Sequence, residues 1–441
     1  MKLKTQLRTV IKKKISNPNL FKTQILAWSQ QFREIAFLDS NNYPNDYASY
    51  DCLVAVDAFT SIKTDFQNAF DGLKQYQQIS KDWLFGYFSY DLKNDTEALI
   101  SNNFDGLNFP DLYFFQPKKI FSLNGNILEM SYLNVCDDEI DEDWIAIKNF
   151  DSLNNIPISQ NIEIKCRTSK TQYLEKVSTI LNEIKSGNIY EANFCMEFYA
   201  ENATVNPMLV YQKLNAISEP PFAVFFKMDK HFLMSASPER YLKKNKEHII
   251  SQPIKGTAKR HADAIEDEKI KNELFNNEKE RSENIMIVDL IRNDLSKTAQ
   301  KGSVQVEKLC ELNTFKQVHH LISTISSKLN SQTSAVDLIK STFPMGSMTG
   351  APKIAAMKII ENSEDTKRGL YSGAIGYFDP NGDFDFNVVI RSILYNETNK
   401  YLSFSVGSAI TSKSVPNNEL DECMLKADAM LKVLIPKTDI M

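Results

Sequence analysis

The part of the chain that most limits its fold runs from residue 189 to residue 253. Extended, apolar-rich runs at 189–199, 222–227, 232–236 and 247–253 follow one another, with one helix candidate, 207–217, between the first two. Parallel neighbours need a crossover of about a dozen residues or more, and the later runs stand too close together to provide one. They are expected to pair antiparallel, which predicts an α+β fold rather than alternating β/α units. Runs at 373–378, 384–394 and 401–410 extend the pattern, with Asp379-Pro380-Asn381-Gly382 as the hairpin turn between the first two.

Residues 1–150 show the same habit on a smaller scale. Cys52-Leu53-Val54-Ala55-Val56 and the runs 83–90, 112–115 and 127–130 read as strands, and a helix is expected over 59–79. An acidic, Asn- and Ser-rich stretch at 136–160 reads as a linker. It divides the chain into an amino-terminal unit, 1–150, and a larger unit, 165–435. In the larger unit, helical spacing marks 171–186 through Leu174, Val177, Ile180, Leu181 and Ile184, with Ser169 or Thr171 as the cap. It also marks 264–295, and a last helix from Asn417 or Asn418 through Leu434, before Pro436.

A net charge of −5 over 441 residues gives no basic footprint for nucleic acid. No segment approaches the roughly 18 apolar residues that a membrane span needs. The basic stretch 1–14 is not followed by an apolar run, so a cytoplasmic protein is expected. Six cysteines and five histidines are scattered without metal-binding spacing, so reduced thiols and no zinc are expected.

Several residues carry chemistry by type and place. Pro253-Ile254-Lys255-Gly256-Thr257 pins a lysine at a strand end before a glycine turn. Lys255 is either a solvated turn residue or a nucleophile; the second role requires its pKa to fall by about 3 units, at a cost of roughly 4 kcal/mol. Burial and the nearby cations Lys259 and Arg260 are expected to push in that direction. Glu283 shares a helical face with Ile287 and Leu290, and its charge needs Arg281, Arg292 or a metal ion as partner. Arg391, inside an apolar strand, is a solvent-facing edge residue or a clamp for a carboxylate. Glu422 and Lys426 form an i,i+4 pair whose face continues through Ala429 and Val433, so the pair looks inward. The loop 345–350 precedes a helix beginning at Pro352, with Ser347 or Thr349 as its cap; such a start can receive an anion, although most Gly-rich turns bind nothing.

Taken in order, these segments resemble the chorismate-utilising enzymes, the family of the large subunits of anthranilate and aminodeoxychorismate synthases and of isochorismate and salicylate synthases. The resemblance rests on Gly187-Asn188-Ile189-Tyr190, Ser237-Pro238-Glu239-Arg240, the 253–257 pentapeptide, Asp289-Leu290-Ile291-Arg292-Asn293-Asp294, the stretch 343–353, Arg368-Gly369-Leu370-Tyr371-Ser372-Gly373 and the stretch 419–426. It extends more weakly to 85–91. It implies a large antiparallel β-sandwich flanked by helices. Within the family, lysine at position 255 marks the aminodeoxychorismate synthases, where anthranilate synthases carry alanine.

The resemblance further implies that Glu239 is a general acid for the departing ring hydroxyl and that Lys255 is a covalent nucleophile. His320 matches an active-site histidine, though a buried structural histidine fits its surroundings equally well. Mg²⁺ is expected on Glu283 and Glu422, and substrate contacts at Gly256, Thr257, Tyr371, Arg391, Gly407, Ser408, Ala409 and Lys426. Glu191 departs from the pattern, standing where amine-using members carry glutamine and water-using members carry lysine. The chain shows neither a glycine-flanked cysteine nor a His-x-Glu, so a separate glutamine amidotransferase is expected to supply ammonia.

Overall fold

The computed structural model describes residues 7–44, 46–150 and 162–435. The predicted antiparallel pairing organises them. Glu191–Ala200 pairs with Tyr401–Thr411, and the ladder continues through Ser392–Asn396, His231–Ser237, Phe222–Met228, Glu34–Asp39 and Cys52–Thr64 to Leu112–Asn124. At 13 residues, Leu112–Asn124 is long enough to pair also with Leu84–Phe88. From there the sheet turns through Ala374–Phe378, Phe384–Val388, Arg240–Asn245 and His248–Gln252 to Val318–Lys328.

The two ends of this ribbon face each other across an apolar layer. Phe226 and Leu233 from one side share it with Tyr87, Ile375 and Tyr377 from the other. Tyr87 meets Phe226 edge-on at 5.7 Å across that layer. Because successive strand residues point to opposite faces, Phe225 faces the other way, into a second core. The helices Pro18–Ser29, Lys170–Lys185, Pro207–Ser218 and Pro416–Leu434 cover that side with Trp28, Tyr173, Tyr211 and Met430. The architecture is the α+β antiparallel sandwich with flanking helices.

Five local expectations are corrected. The helix placed over 59–79 is a strand to Thr64 followed by the helix Ala69–Ser80. Residues 60–64 pair with the run Leu112 to Gln116, and this tertiary pairing overrides the helical spacing. The continuous helix over 264–295 is two, Ala264–Asn276 and Glu278–Ser296. Asn277 is extended, and its side chain accepts from the amides of Lys279 and Glu280, capping the second helix. The run 384–394 breaks between Val388 and Ser392, where Arg391 takes φ +52°. The helix Lys353–Ser363 is preceded by Pro352 without a side-chain cap, so neither Ser347 nor Thr349 caps it. Part of the expected linker is ordered, as the helix Ile140–Lys148 buried through Ile140 and Ile147; 151–161 lies outside the described residues.

Among the described residues two strand pairings join the first 150 residues to the rest, Glu34–Asp39 with Phe222–Met228 and Leu84–Phe88 with Ala374–Phe378. All six cysteines are free. Among the described residues no helix is long and apolar enough to cross a membrane.

At the second junction Gly86 stands opposite Gly376. A Cβ on Gly86 would lie 2.0 Å from the carbonyl oxygen of Tyr113, which is backbone and cannot swing aside. Gly86→Ala is therefore expected to lower stability by roughly 1–3 kcal/mol. The check is a fall in the urea midpoint with an unchanged m value.

Candidate active site

A cleft of about 720 Å³, partly open to solvent, lies between the sandwich and two helices, Glu278–Ser296 and Pro416–Leu434. Lys255, Gly256 and Thr257 all line it, because the ladder between Ile254–Lys259 and Val318–Lys328 shifts register between Lys255 and Thr257. Gly256 sits in this irregularity at φ +87°, and a Cβ there would press on Leu321 and Glu280 at 3.2 and 3.3 Å.

The side chain of Lys255 is 10% exposed, and its Nζ donates to Oε1 of Glu191 at 2.9 Å. The expected fall in its pKa is not what this arrangement produces. Burial alone lowers it, but the charges of Glu191 and Glu283, the Glu191 hydrogen bond and Glu422 together outweigh burial and hold the amine well above its ordinary value. Arg260 contributes no repulsion of the kind expected, because it turns away to pair with Asp267 at 2.7 Å.

Glu239 follows Pro238 in the turn between two strands and is 4% exposed. Burial pushes its carboxyl up to about 7, against hydrogen bonding by Ser347, the charge of Lys255 and the Ile254 amide. His320 lines the same cleft as a neutral imidazole. Burial and the nearby Arg391 push its pKa down to about 3, and its Nδ1 lies 2.9 Å from the Thr257 hydroxyl. Arg391 lines the cleft, and among the described residues it has no ion-pair partner; its carbonyl accepts from the Ala236 amide, which anchors the strand break. Arg391 thus faces the cleft rather than standing at a solvent-facing edge.

The two helices bring acids to the rim. Glu280 and Glu283 come from one, Glu422 and Lys426 from the other. Burial pushes Glu283 up to about 7, while Lys426, 2.6 Å from Glu422, more than offsets burial there and lowers that carboxyl. Neither expected arginine serves Glu283: Arg292 pairs with Asp289, and the nearest cation is Lys279, 3.7 Å away and one turn earlier. Lys279 also reaches Glu419 at 3.0 Å, whose second oxygen is buried without a partner.

Among the described residues no cluster of three His, Cys, Asp or Glu side chains is arranged to hold a metal. An all-oxygen donor set with an orphaned buried carboxylate oxygen beside it nevertheless suits a hard divalent cation that keeps waters and takes a further ligand from substrate.

Gly407, Ala409, Tyr371, Thr257 and Lys426 line the cleft as expected, with Lys426 also donating to the Gly407 carbonyl at 2.8 Å. Ser408 is corrected. Strand alternation turns its side chain to the other face, where its hydroxyl meets that of Tyr173 at 3.1 Å. A Cβ at 407 would lie 2.5 Å from the Cys195 sulfur, so that position has no room for a side chain. Asn193, Ser347, Met348 and Glu280 are lining residues that the sequence reading missed. For Glu280 a signal existed: Glu280/Glu283 and Glu419/Glu422 repeat the same three-residue spacing on two helices.

Residues 33–432 match the family described as chorismate binding enzyme. The chain belongs to that family. Among curated relatives of this chorismate-binding enzyme, the anthranilate synthase component I-like protein of Synechocystis sp. is 34% identical over 80% of this chain and 72% of its own length. Aminodeoxychorismate synthase component 1 of Bacillus subtilis is 32% identical over 79% and 76%. The chain spans only 41% of the longer chloroplastic aminodeoxychorismate synthase of Arabidopsis thaliana, at 32% identity. The crystal structure of anthranilate synthase component I from Streptococcus pneumoniae shares the fold, with a TM-score of 0.77 at 24% identity over 88% of this chain and 93% of that one.

The raised carboxyl of Glu239 has a consequence for stability. The folded protein keeps a proton there that the unfolded chain releases, so this contribution is fully present below about pH 4.5 and is lost as pH rises through about 7. Glu239→Gln, which removes the buried charge, is expected to raise stability by about 3 kcal/mol at pH 8 and by little at pH 4. Thermal unfolding of both proteins across that range checks it.

Proposed function

We propose that this chorismate-utilising enzyme is an aminodeoxychorismate synthase component I. It replaces the 4-hydroxyl of chorismate with an amine drawn from ammonia, toward p-aminobenzoate and folate. The observation that carries the reading is the placement of Lys255 and Glu239 in one cleft, within electrostatic reach of each other. The relatives named aminodeoxychorismate synthase support it, although others of similar identity bear the name anthranilate synthase.

The groups divide the work by their chemistry. Hydroxide is a poor leaving group, and a carboxyl titrating near 7 is protonated often enough at neutral pH to donate as the C–O bond breaks. The unpaired Arg391 offers a fork for one substrate carboxylate, and Lys426 a point charge for another. Lys255 adds to ring carbon 2 as the hydroxyl leaves, and ammonia then adds at carbon 4 and expels the lysine. Neutral His320 is a hydrogen-bonding wall beside Thr257, with no charge to oppose that of Arg391. Mg²⁺, held by Glu283 and Glu422, supplies when bound a positive centre that orients a substrate carboxylate. A separate glutamine amidotransferase delivers the ammonia, in keeping with the component 1 names of relatives.

With chorismate, Mg²⁺ and ammonium, the expected product is 4-amino-4-deoxychorismate. Lys255→Ala is expected to lose the covalent adduct in intact-mass measurements and at least about a hundredfold in rate. Release of anthranilate instead reassigns the protein to anthranilate synthase, and no turnover at all leaves a partner-binding relative. An Ala variant making the 4-amino product at the parental rate refutes the role of Lys255.

A further inference from the structure

Among the described residues the amine of Lys255 has a single hydrogen-bond partner, and that partner is a base. Glu191 is 1% exposed. One of its oxygens accepts from Lys255 at 2.9 Å; the other is buried and has no partner among the described residues. A buried carboxylate oxygen without a partner is costly, and a proton placed on the carboxylate relieves that cost. Glu191 opens the strand Glu191–Ala200 and is paired on both sides, opposite Thr411 and Ala351, so its backbone is fixed against the amine.

Other charged groups face Lys255: Glu239 from the turn before Arg240, Glu280 and Glu283 from the Glu278–Ser296 helix, and Glu422 with Lys426 from the carboxy-terminal helix. Among the described residues none of these is within hydrogen-bonding distance of the amine. Glu422 is taken by Lys426 and Glu283 lies nearest Lys279. The group holding the resting amine in its charged form is thus also the one placed to discharge it.

We propose that Glu191 is the internal proton acceptor for Lys255, a positioning residue that acts through the nucleophile. This rests on reading Lys255 as the nucleophile. When substrate closes the cleft, an N–H bond of Lys255 breaks and an O–H bond forms on Glu191, freeing the nitrogen lone pair. That pair forms the C–N bond at ring carbon 2, the ring π electrons shift toward carbon 4, and the C–O bond breaks as Glu239 gives its proton to the departing hydroxyl, which leaves as water. Ammonia adds at carbon 4, the C–N electron pair returns to Lys255, and Glu191 hands its proton back. The new ammonium group reprotonates Glu239. The transfer within the Lys255–Glu191 pair leaves the net charge of the cleft unchanged, and loss of water favours the neutral pair over the separated charges.

The test is the pH dependence of adduct formation in a single turnover with chorismate and Mg²⁺, quenched and read by intact mass. The parent is expected to be flat below about pH 7 and to fall above it only as Glu239 loses its proton, because the proton of the amine never leaves the pair. Glu191→Gln, similar in shape and without a base, is expected to be about a hundredfold slower near pH 7 and to show a steep profile below it, rising about tenfold per pH unit up to about pH 7, as the amine now loses its proton to solvent. Glu191→Asp keeps a carboxylate and is expected to keep the parental profile at reduced rate. A folded Gln variant with the parental rate and profile overturns the role of Glu191 while the nucleophile stands. So does an Asp variant with the steep profile, which decides the matter if the Gln variant does not fold. An adduct that persists in Lys255→Ala removes the nucleophile itself, and the acceptor with it.

Discussion

The cost of keeping charge away from water governs this molecule. The cleft gathers carboxylates from a strand, a turn and two helices, and each is handled differently. Glu191 and Glu422 are neutralised by lysines within hydrogen-bonding distance. Glu239 and Glu283 are left to hold their protons toward neutrality, and His320 is driven to stay uncharged. Arg391 lines the cleft with no ion-pair partner among the described residues. A cation left uncompensated beside a cleft favours an anion there.

The scaffold can bear this because the cleft is walled by thick apolar layers. One core lies between the two faces of the sandwich and the other beneath the outer helices, so the strands that carry Lys255, His320, Gly407 and Ala409 are backed by packed side chains. The acids and the amine come from elements far apart in sequence. Glu191 and Lys255 are separated by 64 positions, and their 2.9 Å contact exists only because the ladders fix both backbones.

That separation explains what could be read from the sequence and what could not. The antiparallel class followed from strands placed too close for crossovers, and the motif residues Glu239, Lys255, Glu283, Arg391, Gly407 and Lys426 do meet in one cleft. The protonation state of Lys255 was misjudged because its sequence neighbours are cations, whereas its spatial neighbours are carboxylates. Ser408 failed on parity: of two adjacent strand residues only one can face a given side, and Ala409 has that place. The helix expected at 59–79 failed because Thr60 to Thr64 are claimed by a partner strand some 50 residues away, which local spacing does not report.

The strand Leu84–Phe88 lies hydrogen-bonded between Leu112–Asn124 on one side and Ala374–Phe378 on the other. It makes the first third of the chain a structural member of the catalytic half. Evolution therefore has little freedom to shuffle the two portions as separate modules: lifting out the leading portion would bare the flank of Ala374–Phe378 and leave unpaired amides and carbonyls open to aggregation.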